Sequence, residues 1–447
     1  MTPTLRAVAV VAATATALAS CSLEPAADES TQTLVVGYQS KTINTVTAGT
    51  LLRAKGFLEK RLATVGKFRV DWQDFDTGAP ITSGMLAGKI QIGSMGDYPL
   101  LINGSRAQSS PETETAMLSV TGSSARGALN SVVVSPGSPL RSLADLRGKQ
   151  VSASVGSAGH GTLVAALSRA GLSTADVTVV NQQPQVGASA LESGQVQALA
   201  QFVAWPGLLV HQGKARLLYD GGELNTPTLH GVVANTKYAA SHPDVVRAFL
   251  EAQLDATDFQ REHPLEAAQD VAQASGLPAE VVYQYNGPGG TDPNPTLTAP
   301  LIGALKGDIG YLQSIGQFGT PLDVDRFVDP KPLAEAQAAR GGFRYDAATP
   351  APRPSAEIWF DGADATEAAP DATALIRTLA TTDRKVRAAY VSDALTGTRW
   401  YADQSLWLRD GAALVPFAGP DARDRYHAEH PGAVPVEYRA LLEEARR

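Results

Sequence analysis

Apolar residues along this chain follow two spacings, and the two alternate. Short apolar runs of strand type, such as residues 33–38 and 130–134, precede segments whose apolar residues recur every three or four positions, as in a helix. Pro243 with an acid beside it predicts the start of a long helix that ends at Pro264. Strands that alternate with helices in this way predict an α/β fold with a parallel sheet.

Ligands of parallel α/β sheets bind at the loops beyond the carboxyl ends of the strands. Tyr38 and Gln39 lie at the end of the first predicted strand, and Met95, Gly96 and Asp97 follow a strand predicted near residue 90. We therefore expect both groups at a ligand-binding edge. The alternative for each of these residues is an ordinary position in a loop.

Residues 149–167, K-Q-V-S-A-S-V-G-S-A-G-H-G-T-L-V-A-A-L, form the most distinctive stretch. The pattern predicts a strand over 151–155, a glycine-rich turn over 156–161 and a helix from Thr162. This order directs unpaired backbone N–H groups and the positive helix end at one point, where an anion can bind. The alternative is an ordinary strand-to-helix connection whose glycines only permit the bend. The candidate anion-binding residues are Ser157, Gly159, His160, Gly161 and Thr162.

The N-terminus has the layout of a lipoprotein signal peptide over residues 1–20, followed by a polar tether over 21–32. An uncharged apolar run, too short to span a bilayer, leads into Leu-Ala-Ser-Cys at 18–21, which resembles a bacterial lipobox. Cys21 is the only cysteine of the 447 residues, which favours lipidation over a disulfide. The alternative is an incidental cysteine in an ordinary signal. We expect an exported protein, lipid-anchored to the outer face of the cytoplasmic membrane.

Composition and charge narrow the possible partners. Apolar residues make up 44% of the chain, which is ample for sizeable cores, and the formal net charge is −8. A net acidic chain gives no support to nucleic-acid binding. The negative charge does not argue against a small-anion site, because such a site depends on local dipoles.

Seven segments, in order along the chain, resemble one family. They are G-Y-Q at 37–39, A-K-G-F-L-E-K at 54–60, M-L-A-G-K-I-Q-I-G-S-M-G-D-Y-P at 85–99, S-P-L-R-S-L-A-D-L-R-G-K at 138–149, G-S-A-G-H-G-T at 156–162, L-E-S-G-Q-V-Q-A-L at 191–199 and H-P-D-V-V-R-A-F-L-E-A at 242–252. The family is the nitrate/sulfonate/taurine group of ABC-transporter solute-binding proteins, which includes relatives of thiamine-pyrimidine synthases. The resemblance covers residues 33 to about 345.

This resemblance implies a two-lobed periplasmic-binding-protein fold of type II, with a ligand cleft that closes about a hinge. It places the first lobe at residues 33–130 and 231–345 and the second at 131–230, so that the chain crosses near 129–134 and 230–235. Proteins of this family bind ligand with the first-strand loop, the Gly-Asp loop and the glycine-rich helix start. The corresponding residues here are Tyr38, Gln39, Met95, Gly96, Asp97, Ser157, Gly159, His160, Gly161 and Thr162.

One element departs from the family pattern. The family usually carries an aromatic–acid–Pro element after the strand at 196–202, whereas this chain reads F-V-A-W-P at 202–206, with no acid. A ligand ammonium that such an acid would hold therefore loses its partner, which favours a ligand without a cation. Trp205 is a candidate for the wall of the cleft, and a place in the core is the equal alternative.

The chain ends in a predicted Pro-rich linker over 346–355 and a small α+β domain over 356–447. In this domain Y-V-S-D at 390–393, W-Y-A-D at 400–403 and P-F-A at 416–418 resemble the copper chaperones of nitrous-oxide-reductase maturation. That family holds Cu(I) with Cys and Met sulfur, and the domain contains neither residue. We therefore predict an accessory domain that has no Cu(I) site of this kind and whose ligand the sequence does not identify.

Three functions follow from these patterns. The first is a monomeric receptor, without a cofactor, that captures a small solute, such as nitrate or an organosulfonate, for an ABC permease in the membrane. The second is an enzyme on the same fold, related to thiamine-pyrimidine synthases. The third is a metal-delivery or maturation factor that acts through the C-terminal domain. The chain lacks the Cys-rich segment that the second requires and the sulfur ligands that the third requires, so the receptor is favoured.

Overall fold

The structure is a computed structural model that describes residues 31–318, 320–349 and 354–447. The predicted signal peptide, Cys21 and most of the predicted tether lie outside the described residues. None of the helices in the described part is long and apolar enough to cross a membrane.

Seventeen strands are present in the described residues. In chain order they are β1 (Gln32–Tyr38), β2 (Phe68–Asp74), β3 (Ile92–Gly96), β4 (Thr115–Ser124), β5 (Asn130–Val134), β6 (Gln150–Ala153), β7 (Thr178–Asn181), β8 (Ala198–Phe202), β9 (Arg216–Asp220), β10 (Thr228–Asn235), β11 (Ala356–Phe360), β12 (Glu367–Ala369), β13 (Val386–Ser392), β14 (Arg399–Tyr401), β15 (Leu406–Asp410), β16 (Ala413–Phe417) and β17 (Val434–Val436).

Seventeen α-helices and five short 3-10 helices connect or flank these strands in the described residues. The α-helices are α1 (Thr50–Lys55), α2 (Phe57–Leu62), α3 (Gly78–Leu86), α4 (Asp97–Ala107), α5 (Ala158–Arg169), α6 (Pro184–Glu192), α7 (Trp205–His211), α8 (Thr236–Ser241), α9 (Pro243–Glu262), α10 (Pro264–Ser275), α11 (Ala279–Asn286), α12 (Ala299–Ser314), α13 (Val324–Phe327), α14 (Lys331–Arg340), α15 (Ala372–Thr381), α16 (Pro420–Glu429) and α17 (Tyr438–Ala445). The 3-10 helices are Ile43–Ala48, Leu143–Leu146, Thr174–Asp176, Gly221–Leu224 and Ala402–Gln404.

Two five-stranded sheets of the same design carry the two lobes. Their strand orders are β2-β1-β3-β10-β4 and β7-β6-β8-β5-β9. In each sheet the first three strands are parallel, and the strand that arrives from the other lobe inserts antiparallel beside them, β10 in one sheet and β5 in the other. The predicted two-lobed α/β fold is thereby confirmed.

The chain passes between the sheets twice. The first passage joins β4 to β5 and the second joins β9 to β10. The whole of β10, including residues 228–230, lies in the first sheet, so the second passage occurs at residues 221–227 rather than near 230–235. The assignment of the lobes by residue number otherwise remains a prediction.

Two predictions of local structure, one after β3 and one at the start of α5, were wrong. The strand predicted near residue 90 is β3, which ends at Gly96, and α4 begins at once with Asp97 instead of a loop. The helix predicted from Thr162 begins at Ala158, because the Ser157 hydroxyl caps it by accepting the His160 N–H at 3.3 Å. Glycine spacing alone therefore suggested a turn where the chain is already helical.

The glycines inside α5 instead permit close packing. A Cβ atom at Gly159 would lie 2.7 Å from the Cα of Gln201 in β8, and one at Gly161 would lie 2.3 Å from the ring of Tyr98 in α4. The first contact lies within the second lobe, whereas the second brings α5 against a helix of the first lobe. Neither position has room for a side chain, because the β8 backbone lies against Gly159 and the Tyr98 ring lies against Gly161.

The C-terminal domain is α+β, with the sheets β12-β11-β13-β14 and β16-β15-β17. An Asp-Gly pair is a sequence signal for a tight hairpin, and Asp410-Gly411 forms one here, since Asp410 pairs with Ala413 and Gly411 has a φ of 57°, which suits glycine. Strand β11 and helices α15 and α17 were not predicted. Their burial depends on partners elsewhere in the domain, which a local pattern does not identify.

This domain contacts both lobes. The Thr396 hydroxyl donates to Asp220 Oδ2 at the end of β9 at 2.9 Å, and the Tyr401 hydroxyl donates to the Gly207 carbonyl in α7. On the other side, Tyr390 donates to the Glu280 carbonyl of α11, a helix that packs against the first lobe. The domain therefore lies across the junction of the lobes.

Candidate ligand-binding cleft

A cleft of about 230 Å³ lies between the two five-stranded sheets. Gln39 follows β1, Ser154 follows β6 and Asn181 ends β7, so the walls come from the carboxyl ends of parallel strands in both sheets. The residues that line it are Gln39, Thr42, Thr77, Gly78, Ala79, Thr82, Gly96, Pro99, Ile102, Arg106, Ser154, Val155, Gly156, Ser157, Ala158, Asn181, Gln183, Phe202, His230 and Gln317.

Three helices begin in the wall of the cleft. Gly78 starts α3, Ala158 starts α5, and Gln183 immediately precedes α6. The first N–H groups of a helix have no partner within the helix, and they carry the positive end of its dipole. No side-chain cap bonds these groups in α3 or α6. Helix starts that converge from both lobes make the cleft suitable for an anion.

The charged side chains of the lining also favour an anion over a cation. The described residues that line the cleft include no carboxylate, and Arg106 of α4 is their one permanent cation. Arg106 Nη2 lies 3.4 Å from Gln317 Oε1, so the guanidinium is held near the cleft while it stays exposed to solvent. A ligand cation would find no opposite charge in this wall.

The imidazole side chain of His230, in β10, lies in the wall of the cleft. Its side chain is 2% exposed and lies beside Gly96. Burial lowers the pKa of His230 to about 3, so the ring is neutral at physiological pH. Asn44 Nδ2 lies 3.2 Å from His230 Nδ1, and the Thr291 hydroxyl donates to Asn44 Oδ1 at 2.9 Å. The ring is thus held in place through Nδ1.

The predicted site residues divide into three groups. Gln39, Gly96 and Ser157 lie in the wall of the cleft. Tyr38 and Met95 are buried beside it and do not line it: the Tyr38 hydroxyl accepts from Arg53 at 2.6 Å, and Met95 belongs to the first-lobe core. A strand alternates its side chains between two faces, so neighbours in sequence point to opposite sides.

Asp97 joins two elements of the first lobe. Its Oδ2 accepts from the Thr228 hydroxyl and from the Leu229 N–H at 3.3 Å, while Oδ1 accepts from the Tyr98 N–H at 2.9 Å. Burial raises the pKa of this carboxyl, and these donors oppose the rise. The residue is absent from the cleft wall, so the acid expected to face ligand instead connects α4 to β10.

The remaining predicted residues are buried behind the cleft. His160 Nδ1 lies 2.6 Å from the Tyr311 hydroxyl of α12, and burial lowers the His160 pKa to about 4. Thr162 lies further along α5, on a separate small cavity beside Asp97. Trp205 starts α7 and belongs to the core, the second of the two alternatives for this residue.

Contacts between the lobes surround the cleft. Tyr98 and Tyr311 stack edge to face at 5.3 Å, and the pair meets α5 at Gly161 and His160. The Tyr98 hydroxyl also donates to Asp308 of α12, whose pKa is raised by burial and by the nearby Asp97. These aromatic side chains bring α4 and α12 of one lobe against the start of α5 in the other.

Several residues of the wall were not predicted. They include Arg106 in the last turn of α4, His230 within a strand, and Thr77 at the start of α3. Asn181 ends β7 and Gln183 lies two residues beyond it, and this position at a strand end is the one signal that could have indicated them. The others reach the cleft only because of the order of strands in the two sheets.

Within the described residues, no group of three or more His, Cys, Asp or Glu side chains is placed to hold a metal ion.

Comparisons with known proteins agree with this geometry. Residues 112–267 match the family described as NMT1/THI5 like. The chain is 28% identical over 260 residues to a putative aliphatic sulfonates-binding protein of Escherichia coli K12, covering 58% of this chain and 77% of that protein. It is 30% identical over 219 residues to the taurine-binding periplasmic protein of the same organism, covering 47% of this chain and 65% of that protein.

A solved structure extends the similarity to the fold. The alkanesulfonate-binding protein SsuA from Xanthomonas axonopodis pv. citri, bound to MOPS, superposes with a TM-score of 0.58 at 25% identity. The match covers 67% of this chain and 98% of that chain. The resemblance of the C-terminal domain to copper chaperones stays a prediction. These matches confirm that the chain is similar in sequence and fold to the sulfonate- and taurine-binding group of ABC solute-binding proteins.

Proposed function

We propose that the protein is an extracytoplasmic solute receptor of an ABC importer and that it captures an organosulfonate without an ammonium group. One observation carries the proposal: helix starts from both lobes converge on a cleft whose described lining contains no carboxylate. A sulfonate offers three acceptor oxygens and a negative charge to these N–H groups. The similarity to sulfonate- and taurine-binding proteins supports the same class.

The proposal distinguishes between sulfonates with and without a cation. Taurine carries an ammonium group, and burial of such a group without a partner is costly. The chain has V-A-W-P at 203–206 where the family usually has an acid, and Trp205 is in the core. We therefore expect the organic part of the ligand to be uncharged and to lie near Ile102 and Phe202, the large apolar side chains of the wall.

The remaining roles in this proposal concern location and partners. We propose export, a diacylglycerol anchor on Cys21 at the outer face of the cytoplasmic membrane, and delivery of the solute to a membrane permease by a monomer. In this view the C-terminal domain is an accessory module that contacts both lobes. Nitrate remains within the proposal as an alternative oxyanion, and binding without turnover is expected.

Titration calorimetry with a matched pair of ligands tests the proposal. Ethanesulfonate and taurine have the same two-carbon chain and sulfonate and differ in the ammonium group. We expect ethanesulfonate to bind at least tenfold more tightly, with thermal stabilisation of about 2.7 kcal/mol at 100 times its Kd. Nitrate and sulfate serve as small-oxyanion controls, and ethylamine serves as a cation control. Preference for taurine or ethylamine would contradict the proposal.

A further inference from the structure

Three buried groups from distant segments of the chain form a line that ends at the cleft. Asn44 lies in the 3-10 helix Ile43–Ala48, Thr291 lies in the loop after α11, and His230 lies in β10. Their exposures are 1%, 5% and 2%, so solvent does not compete for their hydrogen bonds. Thr291 donates to Asn44, and Asn44 faces the imidazole. Such a line determines which atoms of each group are donors.

The direction of these bonds selects one tautomer of His230. Because the Thr291 hydroxyl donates to Asn44 Oδ1, the amide nitrogen of Asn44 is the atom that faces the ring. An amide NH₂ can only donate, so His230 Nδ1 is the acceptor. A neutral imidazole carries one N–H, which is then on Nε2. Within the described residues, Nε2 has no protein hydrogen-bond partner.

We propose that His230 Nε2–H is a ligand-binding donor of the cleft, aimed by Asn44 and Thr291 at an oxygen of the bound sulfonate. This inference rests on the proposed function and adds to it a specificity-determining residue. A neutral donor pairs with an acceptor oxygen and offers nothing to an ammonium group, so His230 favours the same ligands as the carboxylate-free lining. Asn44 is a positioning residue, because it acts through the ring.

The tautomer is read directly by nitrogen-15 NMR of the full protein labelled at its histidines. Comparison with the His230→Gln variant assigns the signal of this residue. We expect one nitrogen with a proton and one without at pH 7, with coupling that identifies Nε2 as the protonated atom. Added ethanesulfonate should shift the Nε2 signal more than the Nδ1 signal. An Nδ1–H tautomer would overturn the inference.

Calorimetry on a pair of variants provides the second test. His230→Leu removes the donor, and a lost hydrogen bond to a charged group should weaken ethanesulfonate binding about 10- to 100-fold. His230→Gln keeps an N–H donor and should lose only a few-fold. Asn44→Leu releases the ring and should give an intermediate loss, with both tautomers in the spectrum. Thermal unfolding of each variant checks that it is folded.

Two outcomes would contradict these expectations in different ways. Equal affinity of His230→Leu and the unchanged protein would overturn the inference and leave the proposed function intact. Failure of the unchanged protein to bind any sulfonate would overturn the proposed function, and the inference with it, before any substitution is made.

Discussion

The cleft and the junction with the C-terminal domain are both rich in polar groups. At the junction these groups are hydrogen-bonded to one another, whereas in the cleft some of them lack a protein partner among the described residues. At the junction, Asp220 is 2% exposed and accepts hydrogen bonds from Thr396, Thr398 and the Gly222 N–H. In the cleft, the starts of α3 and α6 lack side-chain caps. Paired groups stabilise a fixed contact, whereas unpaired groups bind an incoming ligand.

The buried ion pair of the C-terminal domain extends this contrast. Arg399 and Glu357 have side chains that are 3% and 5% exposed, and Arg399 also donates to the Pro288 carbonyl at 2.6 Å. Its guanidinium lies over the rings of Tyr283 and Tyr390, at 5.0 and 4.4 Å from the centroids. One cation thus joins strand β14 to α11 and to the loop that follows it. The junction is therefore suited to a permanent contact between domains, whereas the cleft is suited to the binding and release of a ligand.

Loss of the Arg399 cation should have the largest effect. Arg399→Leu leaves Glu357 buried without its cation, and we expect the free energy of unfolding to fall by about 3–5 kcal/mol. Urea unfolding at pH 7 measures this change. Lys385→Leu is the matched control, because Lys385 and Asp361 form an exposed pair, 82% and 48%, for which the expected change is below about 1 kcal/mol. Similar losses in both variants would contradict the proposed importance of burial.

Asp220 should make the junction sensitive to pH. Burial, followed by the charge of Asp393, raises the pKa of Asp220 to about 6, above the usual value of 3.8. The folded state therefore retains a proton that the unfolded state has released, and its stability falls as pH rises from about 4 to about 6. The shift corresponds to about 3 kcal/mol at pH 7.

Asp220→Asn removes this titration and keeps polar atoms for the same partners. We expect the variant to gain stability relative to the unchanged protein as pH rises from 4 to 7, measured by urea unfolding across that range. Asp364→Asn, at an exposed position, is the control and should follow the unchanged protein. A constant difference between Asp220→Asn and the unchanged protein at all pH values would show that Asp220 does not titrate in this range.

Substitutions at two glycines of α5 should have different effects, one on the stability of the free protein and the other on the approach of the two lobes around a ligand. Gly159→Ala places a methyl group against the β8 backbone, and overpacking of this kind should cost about 1–3 kcal/mol in the free protein. Gly161→Ala places one against Tyr98 of the other lobe, so we expect mainly a loss of ethanesulfonate affinity, of roughly tenfold if about 1.4 kcal/mol is lost. Unfolding and calorimetry on both variants distinguish the two effects. Gly303→Ala in α12, where no atom lies within 4 Å of the new methyl group, should be neutral or stabilising.

The exposed cation of the cleft should have the smallest effect. Arg106→Leu removes a charge that solvent screens, so ethanesulfonate affinity should fall about two- to fivefold, as expected for an exposed charge pair. The salt dependence of binding should weaken as well, because less charge remains to be screened. Calorimetry at low and high salt measures both. A loss as large as that expected for His230→Leu would contradict the ranking of neutral buried donors above the exposed cation.

The class of fold and much of the local structure could be predicted from the amino-acid pattern. Strand β5 and the start of α9 at Pro243 agree with their predicted positions, because each depends on apolar spacing or on a start signal within a few residues. The hairpin at Gly411 depends on a backbone conformation that glycine favours. Each of these features depends on residues close together in sequence, so the amino-acid pattern of a short segment is enough to predict it.

Which residues meet at the cleft could not be predicted in the same way, because the cleft brings together distant segments of the chain. Asn44 and His230 lie 186 positions apart, and β10 brings them together because it inserts into the first sheet after the chain has built the second. Asp97 follows a strand end, as ligand-binding residues often do, yet its carboxylate accepts hydrogen bonds from β10 within the first lobe. The spacing of residues along the chain predicts which of them share one face of a helix or strand. A site between two lobes depends instead on how those helices and strands are ordered and packed in space.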